Sequence, residues 1–199
     1  MDQKTIVVGL TGGIGTGKSM VCKIFKAFNI PVLDSDALAK DLITNNKEIS
    51  DQIIETFGDD SYLPDGTYNT RYISQRVFNN EDLLKKLNAI VHPAVISHSQ
   101  AWVKEHSNSK YVVKEAALMI ESGSYKLNNY NILVVSPLDL RVERIRSRDH
   151  SDPIDIQKKI NSQLSDEERL KYIDYCIYND EQHSLIEQVQ KIHTTMLAL

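Results

Sequence analysis

The sequence predicts an α/β fold in which helices flank a five-stranded parallel sheet, and three observations favour this class. Short apolar runs recur along the chain, and helical patterns separate them. The runs are continuous rather than alternating, as in strands that are buried on both faces of a parallel sheet. Five of the eight glycines fall within the first 17 residues, which indicates one place where the backbone approaches a ligand closely.

The elements follow from these patterns in chain order. The predicted strands are the apolar runs 5–10, 31–33, 111–114, 131–135 and 175–178. The predicted helices before the third strand are 19–28, 37–45, 47–57, 70–78 and 81–106. Capping patterns mark further helix starts: Asn79 precedes two acids, Ser136 precedes Pro137, and Ser165 with Glu168 forms a capping box.

The spacing of the strands is uneven, and this predicts the domain organisation. A chain of 199 residues is one compact domain by length. The segment between the second and third strands is far longer than one crossover helix needs. We therefore expect one domain (1–199) with a core at about 1–36, 107–149 and 174–199, a helical substrate-binding insert at about 37–106, and a mobile lid at about 150–173.

Charge and cysteine content exclude several classes of protein. Lys and Arg total 23 against 27 for Asp and Glu, so the net charge of −4 argues against a broad nucleic-acid-binding surface. Cys22 and Cys176 are far apart in apolar segments and are expected to be reduced. No secretory segment and no apolar stretch of about 20 residues occurs, so we expect a cytoplasmic protein without a membrane partner.

A phosphate-binding loop is the strongest motif in the chain. Residues 12–19 read Gly-Gly-Ile-Gly-Thr-Gly-Lys-Ser and match G-x-x-x-x-G-K-[ST], between a predicted strand and a predicted helix. The glycines let backbone N–H groups converge on phosphate oxygens at a helix N-terminus. Lys18 is expected to neutralise β and γ oxygens and Ser19 to ligate Mg²⁺. The alternative, a tight glycine turn that binds nothing, fits this context poorly.

The loop indicates a nucleoside triphosphate without specifying the reaction. The guanine-reading Asn-Lys-x-Asp motif is absent, and no Asp-x-x-Gly switch segment follows a strand. The chain is also short for a motor domain. A kinase of a small acceptor is therefore the leading class.

Two aspartates after the second strand are the candidates for the acceptor side. Asp34 and Asp36 stand where ligands gather in an open α/β sheet, at the carboxyl end of a strand. Residues two apart in extended backbone point the same way, so both carboxylates are expected at one place. One of them can accept a hydroxyl proton during phosphoryl transfer. Alternatively, Asp36 caps a helix that begins at Ala37, and both roles are compatible.

An arginine cluster follows the fourth strand. Arg141, Arg144 and Arg148 share one helix face, beside an apolar stripe of Leu138, Val142 and Ile145. The planar guanidinium suits phosphate, so we expect this face to contact the transferred group, although a solvated charged face is the simpler alternative.

The six histidines lack metal-ligand spacing, so zinc is not expected. His92, which precedes Pro93, is either a ligand contact or part of a surface pair that breaks the helix.

An ordered set of motifs makes the chain resemble the dephospho-CoA kinase family. The set extends over nearly the whole chain, and its order makes it far more specific than a phosphate loop alone. The matching segments are 10–19 (Leu-Thr-Gly-Gly-Ile-Gly-Thr-Gly-Lys-Ser), 33–36 (Leu-Asp-Ser-Asp), 88–93 (Asn-Ala-Ile-Val-His-Pro), 144–149 (Arg-Ile-Arg-Ser-Arg-Asp), 163–168 (Gln-Leu-Ser-Asp-Glu-Glu) and 174–179 (Asp-Tyr-Cys-Ile-Tyr-Asn).

The resemblance implies a P-loop kinase fold, with transfer of the ATP γ-phosphoryl group to the ribose 3′-hydroxyl of dephospho-CoA, giving CoA and ADP with Mg²⁺ as cofactor. The implied catalytic residues are Asp36 as general base and Lys18, Arg144 and Arg148 as phosphate-neutralising groups. The implied nucleotide-binding residues are Gly13, Gly15, Thr16, Gly17, Lys18, Ser19, Met20 and Asn179, with Ser19 also the metal ligand. The implied acceptor-binding residues are Thr11, Asp34, Asp36, Lys40, His92, Leu118 and Glu121.

Three positions depart from the family pattern. Lys40 replaces an arginine and loses its bidentate fork, Ala117 replaces a proline, and Met20 replaces a threonine. Two other functions stay open: another small-molecule P-loop kinase, such as a nucleoside monophosphate kinase, and a non-catalytic nucleotide-binding regulator.

Overall fold

The computed structural model describes residues 5–78, 80–150 and 152–199, and within them the chain forms two compact units. The first contains the described residues up to Asp34 together with Val103–Leu199, and the second contains Ser35–Trp102. The sheet belongs to the first unit, whereas the described part of the second consists of helices and short connections. Asn79, predicted as a helix cap, lies outside the described residues.

The sheet has five parallel strands in the described residues, in the order β2-β3-β1-β4-β5. They are β1 Ile6–Thr11, β2 Val32–Asp34, β3 Tyr111–Glu115, β4 Tyr130–Val135 and β5 Tyr175–Tyr178. All five predicted strands are confirmed, with ends displaced by no more than one residue. Because the strands are parallel, the loops that follow them leave from one edge of the sheet, where ligands bind in open α/β folds.

Helices connect the strands. In chain order the described residues form α1 Lys18–Ala27, α2 Ser35–Asn45, α3 Lys47–Phe57, α4 Thr70–Val77, α5 Glu81–Glu105, α6 Leu138–Asp149, α7 Pro153–Asn161, α8 Asp166–Leu170 and α9 Leu185–Ala198. The helix predicted over 81–106 runs through Pro93, so His92 and Pro93 do not break it. Among the helices of the described ranges, none combines the length and apolar character needed to span a bilayer.

The core of the first unit holds its central strands in place. Val8 and Leu10 of β1 and Ile132 and Val134 of β4 are fully buried and belong to one apolar cluster with side chains of α1 and α9. Each such burial contributes about 1.5–3 kcal/mol relative to an exposed side chain. The loop after β1 is therefore anchored at its start by a buried central strand of the sheet.

The second unit has its own apolar core. Its buried side chains come from α2, α3 and α4 and are Leu42, Ile49, Ile53, Phe57 and Ile73. Hydrogen bonds from two tyrosine hydroxyls support this cluster, from Tyr62 to the Ile43 carbonyl (2.7 Å) and from Tyr72 to the Phe57 carbonyl (2.8 Å).

Two predicted helix starts are wrong. Helix α2 begins at Ser35 directly after β2, so Asp36 lies inside the first turn and does not cap a helix that starts at Ala37. Its backbone is helical, so the expectation drawn from extended backbone, that Asp34 and Asp36 point the same way, does not hold. Pro137, not Ser136, occupies the position before α6, and the Ser136 hydroxyl instead accepts a hydrogen bond from Arg144.

Other local predictions have mixed outcomes. The capping box is confirmed: the Ser165 hydroxyl accepts from the Glu168 N–H and the Glu168 carboxylate accepts from the Ser165 N–H. The predicted apolar stripe on α6 is only partly correct, because Ile145 is buried but Leu138 is largely exposed. Cys22 and Cys176 are free thiols, as expected.

Candidate active site

The loop between β1 and α1 has the backbone shape of a phosphate cradle. Gly15 and Gly17 have φ angles of 80° and 94°, a left-handed region that other residues rarely adopt. Gly17 immediately precedes α1, and a Cβ there would collide with the Asn179 side-chain amide. The first N–H groups of α1 therefore open toward an approaching anion, at the positive end of the helix dipole.

Lys18 lies across this loop. Its ammonium donates to the Gly12 carbonyl at 3.0 Å and lies 3.8 Å from a carboxylate oxygen of Glu115. The Lys18 and Glu115 side chains are only 14% and 13% exposed. A partly buried pair is screened less by solvent than a surface pair, so the lysine is held where it can meet a phosphate.

Glu115 is a functional candidate that sequence reasoning missed. It ends β3, next to the central strand, and its Cα is paired in register with that of Asp34 at the end of β2. Two carboxylates thus lie on neighbouring strand ends, and that of Glu115 lies beside Lys18. Burial, and then the nearby charge of Glu115, raises the pKa of the Cys22 thiol to about 12, so the thiol stays protonated. The rule that drew attention to Asp34, an acid that ends an apolar strand, applies equally to Glu115.

A cavity of about 340 Å³ joins the phosphate loop to the arginines of α6. Its lining comes from the loop, the end of β3 and one face of α6, and consists of Gly15, Gly17, Lys18, Ser19, Glu115, Arg144, Ile145 and Arg148. The structure thus brings together Lys18, Ser19, Arg144 and Arg148, which the sequence placed in one site. Arg148 is 63% exposed and its guanidinium binds its neighbour Asp149 at 2.6 Å.

Arg144 is held by three partners at the edge of the sheet. Its guanidinium donates to the Ser136 hydroxyl at 2.9 Å and to the Asn179 carbonyl at 3.4 Å. It also lies 3.4 Å from a carboxylate oxygen of Glu181. These three acceptors fix Arg144 at the carboxyl ends of β4 and β5.

Asn179 connects the loop after β5 to the phosphate loop. Its side-chain amide donates to the Thr16 carbonyl at 2.8 Å, and its backbone N–H donates to the Val135 carbonyl. The backbone N–H of His183 donates to Asp180 and lowers the pKa of that carboxyl to about 2. The segment after β5 is thus an ordered turn that contacts the phosphate loop, although Asn179 itself does not line the cavity.

Other predicted nucleotide-side residues differ in burial. Thr16 is fully buried, and its hydroxyl donates to the Gly13 carbonyl at 2.9 Å, which braces the loop internally. Met20, the third residue of α1, is about half exposed and does not line the cavity. Thr16 supports the loop's shape through this contact.

The residues of the first unit that were predicted to bind the phosphoryl acceptor lie around the end of β3. The buried Thr11 hydroxyl donates to the Ala117 carbonyl at 3.4 Å, and Leu118 is half exposed. Glu121 binds the guanidinium of Arg169 at 2.9 Å, an ion pair that no sequence motif indicated. Asp34 is exposed at the end of β2.

The remaining acceptor residues belong to the second unit. Asp36 and Lys40 lie one turn apart on α2, and both are exposed. His92 is half buried on α5.

Comparisons with known proteins find relatives over almost the whole chain. The dephospho-CoA kinase family model matches residues 6–184. The curated dephospho-CoA kinase of Fusobacterium nucleatum is 35% identical over 192 residues, covering 96% of this chain and 98% of the relative. That of Aquifex aeolicus is 31% identical over 187 residues, covering 94% and 95%.

Solved structures extend the comparison to the fold. The Thermus thermophilus protein TT1252 superposes with a TM-score of 0.80 at 28% identity, covering 98% of this chain and 97% of that one. Dephospho-CoA kinase from Campylobacter jejuni gives a TM-score of 0.68 at 23% identity, covering 96% of each chain, and shares the fold. With a phosphate loop, a lysine closing it and a family match along almost its entire length, this chain belongs to the dephospho-CoA kinase family.

Proposed function

We propose that this chain transfers the γ-phosphoryl group of ATP to the ribose 3′-hydroxyl of dephospho-CoA, giving CoA and ADP in the last step of CoA biosynthesis. The main support for the proposal is the phosphate loop, which Lys18 closes through its hydrogen bond to Gly12. The chain around it matches the family model from residue 6 to 184. A cytoplasmic location fits this reaction, since ATP is available there and both cysteines are free thiols.

The first unit binds the nucleotide in this proposal. The β and γ phosphates lie against the loop, where Lys18 and the N-terminus of α1 offset their charge. Arg144 and Arg148 line the same cavity and face the developing charge. Asn179 belongs to the turn that borders the base of ATP. Catalysis here is chiefly positioning and charge stabilisation.

The oxygen groups beside Lys18 fit a magnesium ion. Ser19 and Glu115 line the cavity and offer a hydroxyl and a carboxylate, which are donors that Mg²⁺ accepts. No group of three or more His, Cys, Asp or Glu in the described part of the chain could hold a metal by itself. In nucleotide sites Mg²⁺ is usually held by one or two protein oxygens together with substrate phosphates. When bound, the ion neutralises charge on the β and γ oxygens.

Asp36 is the general base in the proposed reaction. The 3′-hydroxyl oxygen bonds to the γ phosphorus, the bond from that phosphorus to the β,γ-bridging oxygen breaks, and ADP leaves. The Asp36 carboxylate accepts the hydroxyl proton late in this step. Its exposed place in the first turn of α2, directly after a strand end, supports the assignment.

The domain roles are proposals of the same kind. We assign dephospho-CoA binding to the insert (37–106) through Lys40 and His92, together with Thr11, Asp34, Leu118 and Glu121 of the first unit. Residues 150–173 form a lid over the nucleotide. The division of the chain after Asp34 and near Trp102 supports an insert with its own core.

One assay separates this function from its rivals. Purified protein with ATP and Mg²⁺ is given dephospho-CoA, AMP or no acceptor, and ADP release is followed together with the mass of the product. We expect ADP release that depends on dephospho-CoA and a product heavier by one phosphoryl group. Turnover with AMP alone makes the chain a nucleoside monophosphate kinase. ATP binding without acceptor-dependent turnover makes it a nucleotide-binding regulator.

A further inference from the structure

Arg169 is a fully buried charged side chain within the predicted lid, and it is not among the predicted catalytic or binding residues. It lies on α8 with 0% of its surface exposed. One terminal nitrogen is 2.9 Å from a Glu121 carboxylate oxygen, and the other is 3.4 Å from Asp166. Its Nε is buried without a hydrogen-bond partner.

This arrangement is a poor way to stabilise a fold. Burying an ion pair costs desolvation that its attraction barely offsets, and well-packed apolar side chains serve stability at least as well. An unpaired buried nitrogen adds to that cost. A guanidinium retained at Arg169 on these terms indicates a role in the site that it borders.

The site that Arg169 borders is the start of the phosphate loop. A Cβ on Gly13 would lie 3.3 Å from a terminal nitrogen of Arg169, and it would collide with the guanidinium of Arg141. Asp166 is shared between the two arginines, 3.4 Å from Arg169 and 3.9 Å from Arg141. Two guanidiniums thus lie beside Gly13, and the carboxylates of Asp166 and Glu121 bind them.

The same network holds the backbone of Ile14. Arg141 Nε donates to the Ile14 carbonyl at 2.9 Å, and the Ile14 N–H donates to the Gln163 side chain at 2.8 Å. Gln163 lies in the short connection that leads into α8. Both backbone groups of one loop residue are therefore held by side chains from α6 and from the segment before α8.

We propose that Arg169 is a positioning residue for phosphoryl transfer. It orients Asp166, which holds Arg141 against Ile14, and its second ion pair to Glu121 fixes α8 beside the loop. The phosphate loop is thereby kept in one shape at Gly13 and Ile14 before the nucleotide arrives. Only the kinetic test of this inference depends on the proposed kinase function.

Lysine cannot replace this arginine. The two terminal nitrogens of Arg169 reach Glu121 and Asp166 at once, whereas an ammonium is a single point charge. Arg169→Lys keeps the charge and is the milder change, because it breaks only one of the two ion pairs. Arg169→Met removes both. Arg146→Lys is the matched control, because Arg146 is exposed on α6 and lies outside this network.

The kinetic test compares kcat with KM. We expect Arg169→Lys to lower kcat by about 100-fold, the scale of a misplacement by about 1 Å, while KM for ATP stays within about threefold. Arg146→Lys should match the wild type in both constants. The Arg141→Met and Arg169→Met effects on kcat should be strongly non-additive, because both act through Ile14. If Arg169→Met does not fold, kcat and KM of Arg169→Lys test the proposal on their own.

A second readout does not depend on turnover. Amide hydrogen exchange at Ile14 should be at least about tenfold faster in Arg169→Lys than in the wild type or in Arg146→Lys. Wild-type kcat in Arg169→Lys, additive effects in the double variant, or unchanged exchange at Ile14 each overturn the proposal. If the wild type fails to phosphorylate dephospho-CoA but Ile14 exchange responds, the proposed function is wrong and the positioning role stands.

Discussion

At the residue scale, Gly17 shows how closely the phosphate loop and the turn after β5 approach each other. Two requirements coincide there: a left-handed backbone and the absence of a Cβ beside the Asn179 amide. Gly66 shares the first requirement, with φ at 83°, but has nothing within 4 Å of an added Cβ. Comparing substitutions at Gly17 and Gly66 therefore distinguishes the effect of backbone strain from that of steric contact with Asn179.

We predict that Gly17→Ala abolishes most ATP binding, whereas Gly66→Ala leaves it unchanged. Both substitutions destabilise the fold by about 1–2 kcal/mol, because alanine disfavours the left-handed backbone conformation. Only the first also pushes Asn179 away from Thr16, to which its amide donates. Isothermal titration with ATP measures the affinities, and thermal unfolding measures the shared penalty. Equal ATP affinity in the two variants would show that the close approach at Gly17 has no role in binding.

The proposed base makes a second prediction at this scale. Asp36→Asn keeps the size of the side chain but removes the proton acceptor, so kcat should fall by about 10²–10⁴ while ATP affinity is retained. Asp41→Asn is the control, because Asp41 is exposed on the same helix and accepts a hydrogen bond from Asn45. Steady-state kinetics with dephospho-CoA and nucleotide titration measure the two effects. Near-normal turnover of Asp36→Asn would eliminate Asp36 as the base.

At the element scale, helix α8 is held by its capping box. The Ser165 N–H donates to the Glu168 carboxylate at 2.8 Å, and this hydrogen bond lowers the pKa of Glu168. A carboxyl with a lower pKa in the folded state stabilises the protein above its unfolded-state pKa, and this stabilisation is lost as the pH falls through the folded value. The cap of the helix that carries Arg169 is thus sensitive to acid.

We predict that Glu168→Gln lowers the free energy of unfolding at about pH 7 and that its difference from the wild type shrinks toward about pH 3. Glutamine still accepts a hydrogen bond but does not titrate. Chemical denaturation across this range measures the difference, with Glu167→Gln, one residue away on the same turn, as the control. A difference that grows in acid would contradict the sign of the Glu168 pKa shift.

Strand and helix positions were predictable because each depends on local pattern. Continuous apolar runs located all five strands, and the Ser165–Glu168 spacing located a helix start. The pattern could not show that α2 follows β2 without a connecting residue, because no turn signal marks Ser35. Ser136 was mistaken for a cap because its hydroxyl binds Arg144, a partner eight residues away that capping rules do not consider.

The site was predictable where sequence motifs mark its residues. Lys18 and Ser19 are adjacent within the phosphate loop, and the structure places both on the cavity. Glu115 meets Lys18, and Arg169 approaches Gly13, through tertiary contacts across about 100 residues or more of chain, so no motif spacing links either residue to the loop. Only the place of Glu115 at the end of an apolar strand could have indicated it. Their positions follow from strand order and from the packing of α8.

At the scale of the whole molecule, several positive side chains are concentrated at one cavity although the chain as a whole is acidic. The chain carries a net charge of −4, yet Lys18, Arg144 and Arg148 line one cavity in the first unit. An acidic protein can hold a triphosphate because binding depends on the local field, which nearby partly buried groups dominate. The second unit has a separate apolar core around Ile53. Nucleotide binding and the core of the second unit are therefore separable by substitution.

We predict opposite thermal signatures for Lys18→Ala and Ile53→Ala. ATP at about 100 times its Kd should stabilise the wild type by about 2.7 kcal/mol and raise Tm by about 5–10 °C. Ile53→Ala leaves a cavity in the second unit that costs about 2–5 kcal/mol, so Tm falls but the ATP-induced rise persists. Lys18→Ala loses most of that rise, because its ammonium is the cation closing the loop at Gly12. Scanning calorimetry with and without ATP measures Tm and its ATP-induced rise in both variants. A rise that survives in Lys18→Ala, or vanishes in a folded Ile53→Ala, would place the nucleotide's binding energy outside the phosphate loop.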